Sequence, residues 1–400
     1  MSLVHQGTGG DKYPGTMLGP RLPSSLEPNA LSAELDRRRR EGPPFLDLTV
    51  SNPTACGFSY PAAQLRSALG DPEVLAYHPD CRGGRRAREA VAAYHGHGLD
   101  PDHLMLTAST SEAYAWLFKL LCAPGDEVLV PSPSYPLFHW LAALEGVSAR
   151  IVPAIPHERW DLDLAGLDAA CGPRTRALVA VNPNNPTGQF LTREEWGALL
   201  DLCAHRNLAL LVDEVFGDYV LEPGPGRLAT ALETPEPGVP LFVLSGLSKV
   251  AALPQVKLGW IAARGAQARA LLEPLGFIAD QYLSVSASAQ AAAPALLSLA
   301  PGIQAGILAR LRDNLAALDQ VLAPRTHLSR RPVEGGWSVL LRRPAVEPGE
   351  DCALRLLRER DVLVHPGHFF DLPGDGYLVL SLLAPTDVFR EGAARMAGAV

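Results

Sequence analysis

Lysine is scarce in this 400-residue chain: only Lys12, Lys119, Lys249 and Lys257 occur, and the rest of the 35 basic residues are arginine. A surplus of positive charge is missing as well, since 43 acidic residues leave a formal net charge of −8. Such a chain has little with which to neutralise a phosphate backbone, so the expected partner is a small molecule and not nucleic acid. The six cysteines, at 56, 81, 122, 171, 203 and 352, form no CxxC pair and no metal-ligand cluster, as expected of reduced thiols in a cytoplasm. The opening residues MSLVHQGTGGDKYPG lack the basic start and the apolar stretch of roughly 7–15 residues that mark a secretory signal. No GxGxxG follows the first strand-like run, which argues against a nicotinamide-binding site. Charge disappears altogether from Gln281 to Ala309. Because Ser, Gln, Pro294 and Pro301 interrupt that stretch, the expectation is a buried helix pair and no membrane span.

What is present is globular: 47% of residues are hydrophobic and 20% charged. At roughly 150 residues per domain the length suggests two to three units. Residues 1–30 show no periodicity and predict an irregular arm leading into a helix near Leu31–Arg40, whose RRRR ending reads as a solvated face. Seven short apolar runs come next, at 103–107, 127–131, 149–153, 177–181, 208–213, 241–245 and 259–263. Most lack polar alternation, as strands covered on both faces do, and the spacers between them are long enough for helical crossovers. The fold class is therefore α/β with a mostly parallel seven-stranded sheet. Towards the C-terminus the texture becomes a helical stretch, then the strand signals GGWSVLLRR, DVLVHPG and GYLVLSLL, then a last helix, which indicates a smaller α+β domain. The expected division is an arm and helix over 1–45, a large domain over 46–290 and a small domain over 291–400.

Sites on open parallel sheets lie beyond the carboxyl ends of the strands. There LALLVDEVF places Asp213, ALVAVNPNNPTG places Asn182 and Asn185, and LFVLSGLSK places Ser248 and Lys249. An acid, an amide and an amine thus meet on one edge. A lysine in a dry pocket can form a Schiff base with an aldehyde, which is how amine chemistry on pyridoxal phosphate begins. That cofactor needs a carboxylate at its pyridine nitrogen, donors for its phosphate and a flat partner for its ring. The strand-to-helix turn TASTSEAYAW supplies hydroxyls and backbone N–H groups, and Tyr135 supplies a flat ring.

The chain resembles the class I/II aminotransferases of the fold type I pyridoxal phosphate family from about Leu46 to the end. The landmarks, in family order, are YHPDCRGGRRAREAVAAY (77–94), ASTSEA, PGDEVLVPSPSYP (124–136), NPNNPTG (182–188), VDEVF (212–216), SGLSK (245–249), LGW (258–260) and VHPGHFF with YLVLSLL. The resemblance implies a pyridoxal 5'-phosphate aminotransferase working by a ping-pong cycle, with an amine or amino-acid donor and an oxo acceptor. It makes Lys249 the Schiff-base lysine and general base, and Asp213 the partner of the pyridine nitrogen. Asn185 would bond the ring hydroxyl and Tyr135 would stack on the ring. Ser109, Thr110, Ser111, Ser248 and Lys257 become phosphate-side residues. Tyr77 matches the tyrosine that reaches the phosphate from a neighbouring subunit, which implies a homodimer with shared active sites.

Three positions depart from the family pattern. Phe216 stands where a tyrosine usually bonds the cofactor's ring oxygen, leaving Tyr219 as a substitute donor. Lys257 replaces an arginine, which keeps charge and loses the bidentate fork. Val379 stands where an arginine usually clamps the substrate's α-carboxylate, and valine cannot do so. Arg21, Arg331 and Arg342 are the candidate substitutes. The missing clamp opens an alternative: a lyase, decarboxylase, oxidase or carbon–carbon bond-forming enzyme on the same cofactor. A non-catalytic effector-binding module is disfavoured by the intact Lys249 and Asp213. The loss of the phenol at position 216 generates a test. The visible band of the cofactor-bound protein is expected to keep its protonated form to high pH in a spectrophotometric titration, and a low midpoint would contradict this.

Overall fold

The computed structural model describes residues 21–23 and 27–400; Lys12 and most of the expected N-terminal arm lie outside the described residues. All seven apolar runs are strands of one sheet: β1 (Leu104–Thr107), β2 (Glu127–Ser132), β3 (Ser148–Pro153), β4 (Thr175–Val181), β5 (Ala209–Asp213), β6 (Leu241–Gly246) and β7 (Gly259–Arg264). Their order is β1-β7-β6-β5-β4-β2-β3. Every neighbouring pair is parallel except those made by β7, which runs against both β1 and β6. The unbroken apolar runs reflect burial on both faces. Leu210 and Val212 join one apolar cluster while Leu211 and Ala209 join another on the opposite face, the period of two that a strand imposes.

Six of the longer helices are α1 (Ala30–Glu41), α2 (Arg85–His95), α3 (Thr110–Leu121), α4 (Ala287–Leu322), α5 (Gly349–Arg360) and α6 (Thr386–Ala397). The charge-free stretch corrects the expectation of a helix pair, because α4 is one helix of 36 residues that runs straight through Pro294 and Pro301. An interior proline costs a helix about 3 kcal/mol. Burial outweighs that cost here. The first half of α4 seats Ala289, Ala292, Ala293, Leu296 and Ala300 in a cluster on the large sheet. Its second half seats Ile303, Ile307, Leu311, Leu315 and Leu318 in a separate C-terminal cluster. By length and composition alone α4 could cross a membrane, yet its faces pack on α2 and α6.

The C-terminal cluster is built on an antiparallel sheet of β8 (Ser329–Arg330), β9 (Ser338–Arg342), β10 (His365–Pro366) and β11 (Tyr377–Ser381), in the order β8-β9-β11-β10. The N-terminal segment joins it, since Leu46–Asp47 pairs with Val362–Leu363 and α1 packs on α5. The RRRR run is not wholly solvated. Arg38 is buried and ion-paired with Asp361, and the other three arginines are exposed.

Register brings the ends of five strands to one edge of the large sheet. Thr107, Gly259 and Gly246 lie side by side across β1, β7 and β6. Leu244, Asp213 and Val181 continue the line across β6, β5 and β4. Glycine is required at 259: a Cβ there would stand 3.0 Å from Thr107 Oγ1, 3.1 Å from the Ser109 carbonyl carbon and 3.2 Å from the Ser245 carbonyl oxygen. Gly259→Ala is therefore expected to lower the Tm by several degrees, in line with an overpacking cost of about 1–3 kcal/mol. Gly302→Ala, on α4 with open space around it, is expected to gain about 0.5–1 kcal/mol. Thermal unfolding of the two variants beside wild type checks both signs.

Candidate active site

Lys249 sits in a one-turn helix, Leu247–Val250, directly after β6. Its ammonium faces two aromatic rings, with Nζ 5.3 Å from the centre of Trp337 and 5.7 Å from that of Phe216. Burial pulls its pKa below the ordinary lysine value, opposed by the charge of Asp213. Among the described residues no salt bridge joins the two, so Asp213 acts on Lys249 at a distance.

Asp213 ends β5 and is 8% exposed. Its carboxylate accepts from the Tyr114 hydroxyl at 3.2 Å and from the Val215 N–H at 3.1 Å. Burial nevertheless raises its pKa to about 6. The next residue, Glu214, is equally enclosed and is raised by burial to about 7. Glu214 accepts from Thr230 Oγ1, the Ala231 N–H and Asn182 Nδ2, so Asn182 belongs to the support of this edge. Asn184 is likewise committed, accepting from Thr187 and donating to the Pro133 carbonyl. Asn185 differs: its amide makes no hydrogen bond among the described residues.

The phosphate-side candidates gather where α3 begins. Ser109 is its N-cap and accepts from the Glu112 N–H at 3.2 Å. Thr110 and Ser111 form its first turn, whose N–H groups have no partner within the helix. Ser109 is also the residue that Gly259 lets approach the sheet. Ser248 is half-buried next to Lys249. Lys257 lies two residues before β7, exposed and in the left-handed conformation at φ 60°. Tyr135 stands after β2, edge-on to Phe138 at 6.2 Å, and burial raises its phenol to about 12.

Not every expected residue converges. Tyr77 is 77% exposed and lines a cavity of about 450 Å³ with Arg86, Trp116, Ser284 and Gln290, apart from Lys249. Tyr219 does not stand in for the phenol missing at Phe216, because its hydroxyl donates to the Lys249 carbonyl at 2.6 Å. Val379 is 2% exposed on β11, opposite Leu340 and His365. None of the substitute arginines contacts Lys249, Asp213 or Asn185. Arg21 donates to the Leu144 carbonyl, Arg342 is exposed opposite Tyr377, and Arg331 directly follows β8 with Nε buried and unpartnered. Sequence reasoning missed Tyr114 and Trp337. The pair Gly335-Gly336 before the tryptophan was the available signal, since a Cβ on Gly335 would strike the Tyr219 carbonyl at 2.6 Å.

The donor set suits a flat, phosphate-bearing, cationic heterocycle with an aldehyde. It offers a primary amine, a buried carboxylate with no cation in contact, an unbonded amide, and a helix start rich in hydroxyls. Without such a cation, the raised Asp213 and Glu214 make the folded chain hold protons that the unfolded chain releases near about pH 4. Their stabilising effect is complete below that pH and declines as pH rises to about 7. Cofactor-free Asp213→Asn is expected to show a shallower fall of Tm over this window than wild type in a thermal-shift series; equal slopes would contradict the assignment.

Residues 46–385 match the family described as aminotransferase class I and II. Human tyrosine aminotransferase is 25% identical, over 98% of this chain and 91% of that protein. An S-alkyl-thiohydroximate lyase of Arabidopsis thaliana is 30% identical over 44% of this chain and 38% of its own length. The structure of a Thermus thermophilus aspartate aminotransferase mutant superposes with a TM-score of 0.83 at 25% identity, covering 96% of this chain and 99% of that one. The matched span takes in the large sheet with Lys249 and Asp213 at its edge, and the chain belongs to the class I and II aminotransferases, pyridoxal phosphate-dependent transferases of fold type I.

Proposed function

We propose that this enzyme transfers an amino group from an amine or amino-acid donor to an oxo acceptor in a ping-pong cycle centred on Lys249. The observation that carries this reading is the presence, at one sheet edge, of a half-buried lysine with lowered pKa and a buried carboxylate held in place by Tyr114 and the Val215 N–H. Pyridoxal phosphate, when bound, supplies the aldehyde for Lys249 and a ring that takes up electrons from the substrate. Asp213 keeps the ring nitrogen protonated. Asn185 has a free amide for the ring hydroxyl, and Tyr135 is the stacking partner. Ser109, Thr110, Ser111, Ser248 and Lys257 hold the phosphate, with Tyr77 contributed across a homodimer.

Lys249 then does the proton work. Burial lowers its pKa and so favours the unprotonated amine that a general base requires. Phe216 and Trp337 keep water from the amine and offer the ammonium form a cation–π surface. The two apolar clusters correspond, in this reading, to the large and small domains, with α4 belonging to both.

A second reading has one specific support. Val379 puts an apolar side chain where a carboxylate clamp would stand, and the likeness to a lyase runs in the same direction. A donor screen separates the two. With single amine donors and no acceptor, a transaminase is expected to lose its visible band and accumulate the amino form of the cofactor, and Lys249→Ala not to accumulate it. Recovery of the band without an acceptor, together with a cleaved product, would favour the lyase.

A further inference from the structure

The turn that carries Lys249 satisfies only part of its own carbonyls: those of Leu247 and Lys249 accept from the Ala251 and Ala252 N–H groups, whereas that of Val250 takes its hydrogen bond from a side chain. Leu247–Val250 is a single helical turn, and Ala252, two residues past it, holds the left-handed conformation at φ 53° that non-glycine residues rarely adopt. Three side chains from three separate parts of the chain close on it. The Tyr219 hydroxyl donates to the Lys249 carbonyl at 2.6 Å. Gln304 Nε2 donates to the Val250 carbonyl at 2.8 Å. The Tyr60 hydroxyl donates to the Ala252 carbonyl at 3.0 Å.

Gln304 has a further tie. The other hydrogen of its amide goes to the Tyr94 hydroxyl at 2.8 Å, and Tyr94 donates in turn to Asp218 at 2.8 Å. Asp218 is the neighbour of Tyr219, so the chain of bonds returns to the same turn. Gln304 also occupies a particular place on α4. Ala300, before it, is the last buried residue of the helix in the large-sheet cluster, and Ile303 is the first buried one in the C-terminal cluster. A polar side chain at this junction reaches the lysine turn from a helix that both cores share.

We propose that Gln304, with Tyr219 and Tyr60, is a positioning residue for Lys249: its amide fixes the backbone of the lysine turn and anchors that turn to α4. This rests on the reading of Lys249 as the reactive amine. Removing the donor frees the Val250 carbonyl and lets the turn take more than one setting, so that Lys249 Nζ samples positions away from the Phe216–Trp337 pocket.

The test uses Gln304→Met, which keeps length without a donor, and Tyr60→Phe, which loses one hydroxyl. Ser298→Ala is the control, since that exposed residue on α4 bonds only the Ala295 carbonyl. In the cofactor-bound enzymes, Gln304→Met is expected to lower kcat about tenfold with KM for the donor unchanged. It is also expected to shift the midpoint of the visible band by at least about half a pH unit. Tyr60→Phe should move both in the same direction by less, and Ser298→Ala should move neither. In the cofactor-free chains, ε-carbon NMR of labelled lysine reads Lys249 directly: one sharp line is expected in wild type, and a broadened or doubled line in Gln304→Met. Wild-type kcat, midpoint and line shape in Gln304→Met would overturn the proposal. If that variant does not fold, an unshifted midpoint and an unchanged Lys249 line in Tyr60→Phe overturn it. Failure of wild type to form a borohydride-fixed adduct on Lys249 would instead refute the enzymatic reading, and the NMR line would still decide the positioning claim.

Discussion

A carboxylate and an amine kept from water at the end of a parallel sheet set most of the requirements that the surrounding structure meets. Isolated charges are costly to bury, and the usual relief is a shifted pKa or a dense set of hydrogen bonds. Both reliefs are present. Asp213 takes a donor from α3 through Tyr114 and another from its own turn, and still rises to about 6. Lys249 falls below its ordinary value and rests against two rings. Glu214, one residue on, ties the same edge to Asn182, Thr230 and Ala231. Loops at the end of a sheet are ordinarily its softest part; here buried polar groups brace them.

Two of the departures from the family pattern, Phe216 and Val379, share a direction. Phe216 removes a phenol beside Lys249 and packs edge-on to Trp337, and Val379 is packed among apolar neighbours. Tyr219, the nearest remaining phenol in that segment, is spent on a backbone carbonyl. Two aromatic rings, Phe216 and Trp337, therefore face the amine. A substrate portion that meets them gains from burial and loses where it carries charge, and this bears on donor choice more than on the chemistry of the amine itself.

Much of this architecture is legible in the chain. The seven apolar runs are the seven strands because a strand buried on both faces must be apolar throughout, a property of local sequence. The motifs at 182–188, 212–216 and 245–249 fall on the same edge because the strands they extend lie side by side in the sheet. The long helix escapes a local reading for the opposite reason. Pro294 and Pro301 are local signals to stop, and they are overruled by apolar contacts spread along 36 residues and two clusters. Arg38 escapes it likewise, since only the fold brings Asp361 to it.

The sequence by itself determined the strands, their crossovers and the chemical kinds at the site: an amine, an acid, an amide and a hydroxyl-rich helix start. These depend on residue type and on spacing along the chain. Tertiary structure alone decided what each group faces. That Tyr114 reaches across 99 positions to Asp213, that Trp337 closes on Lys249, and that Gln304 holds the Val250 carbonyl are contacts between distant segments. Their energies depend on distance and enclosure, which no local pattern of residues encodes.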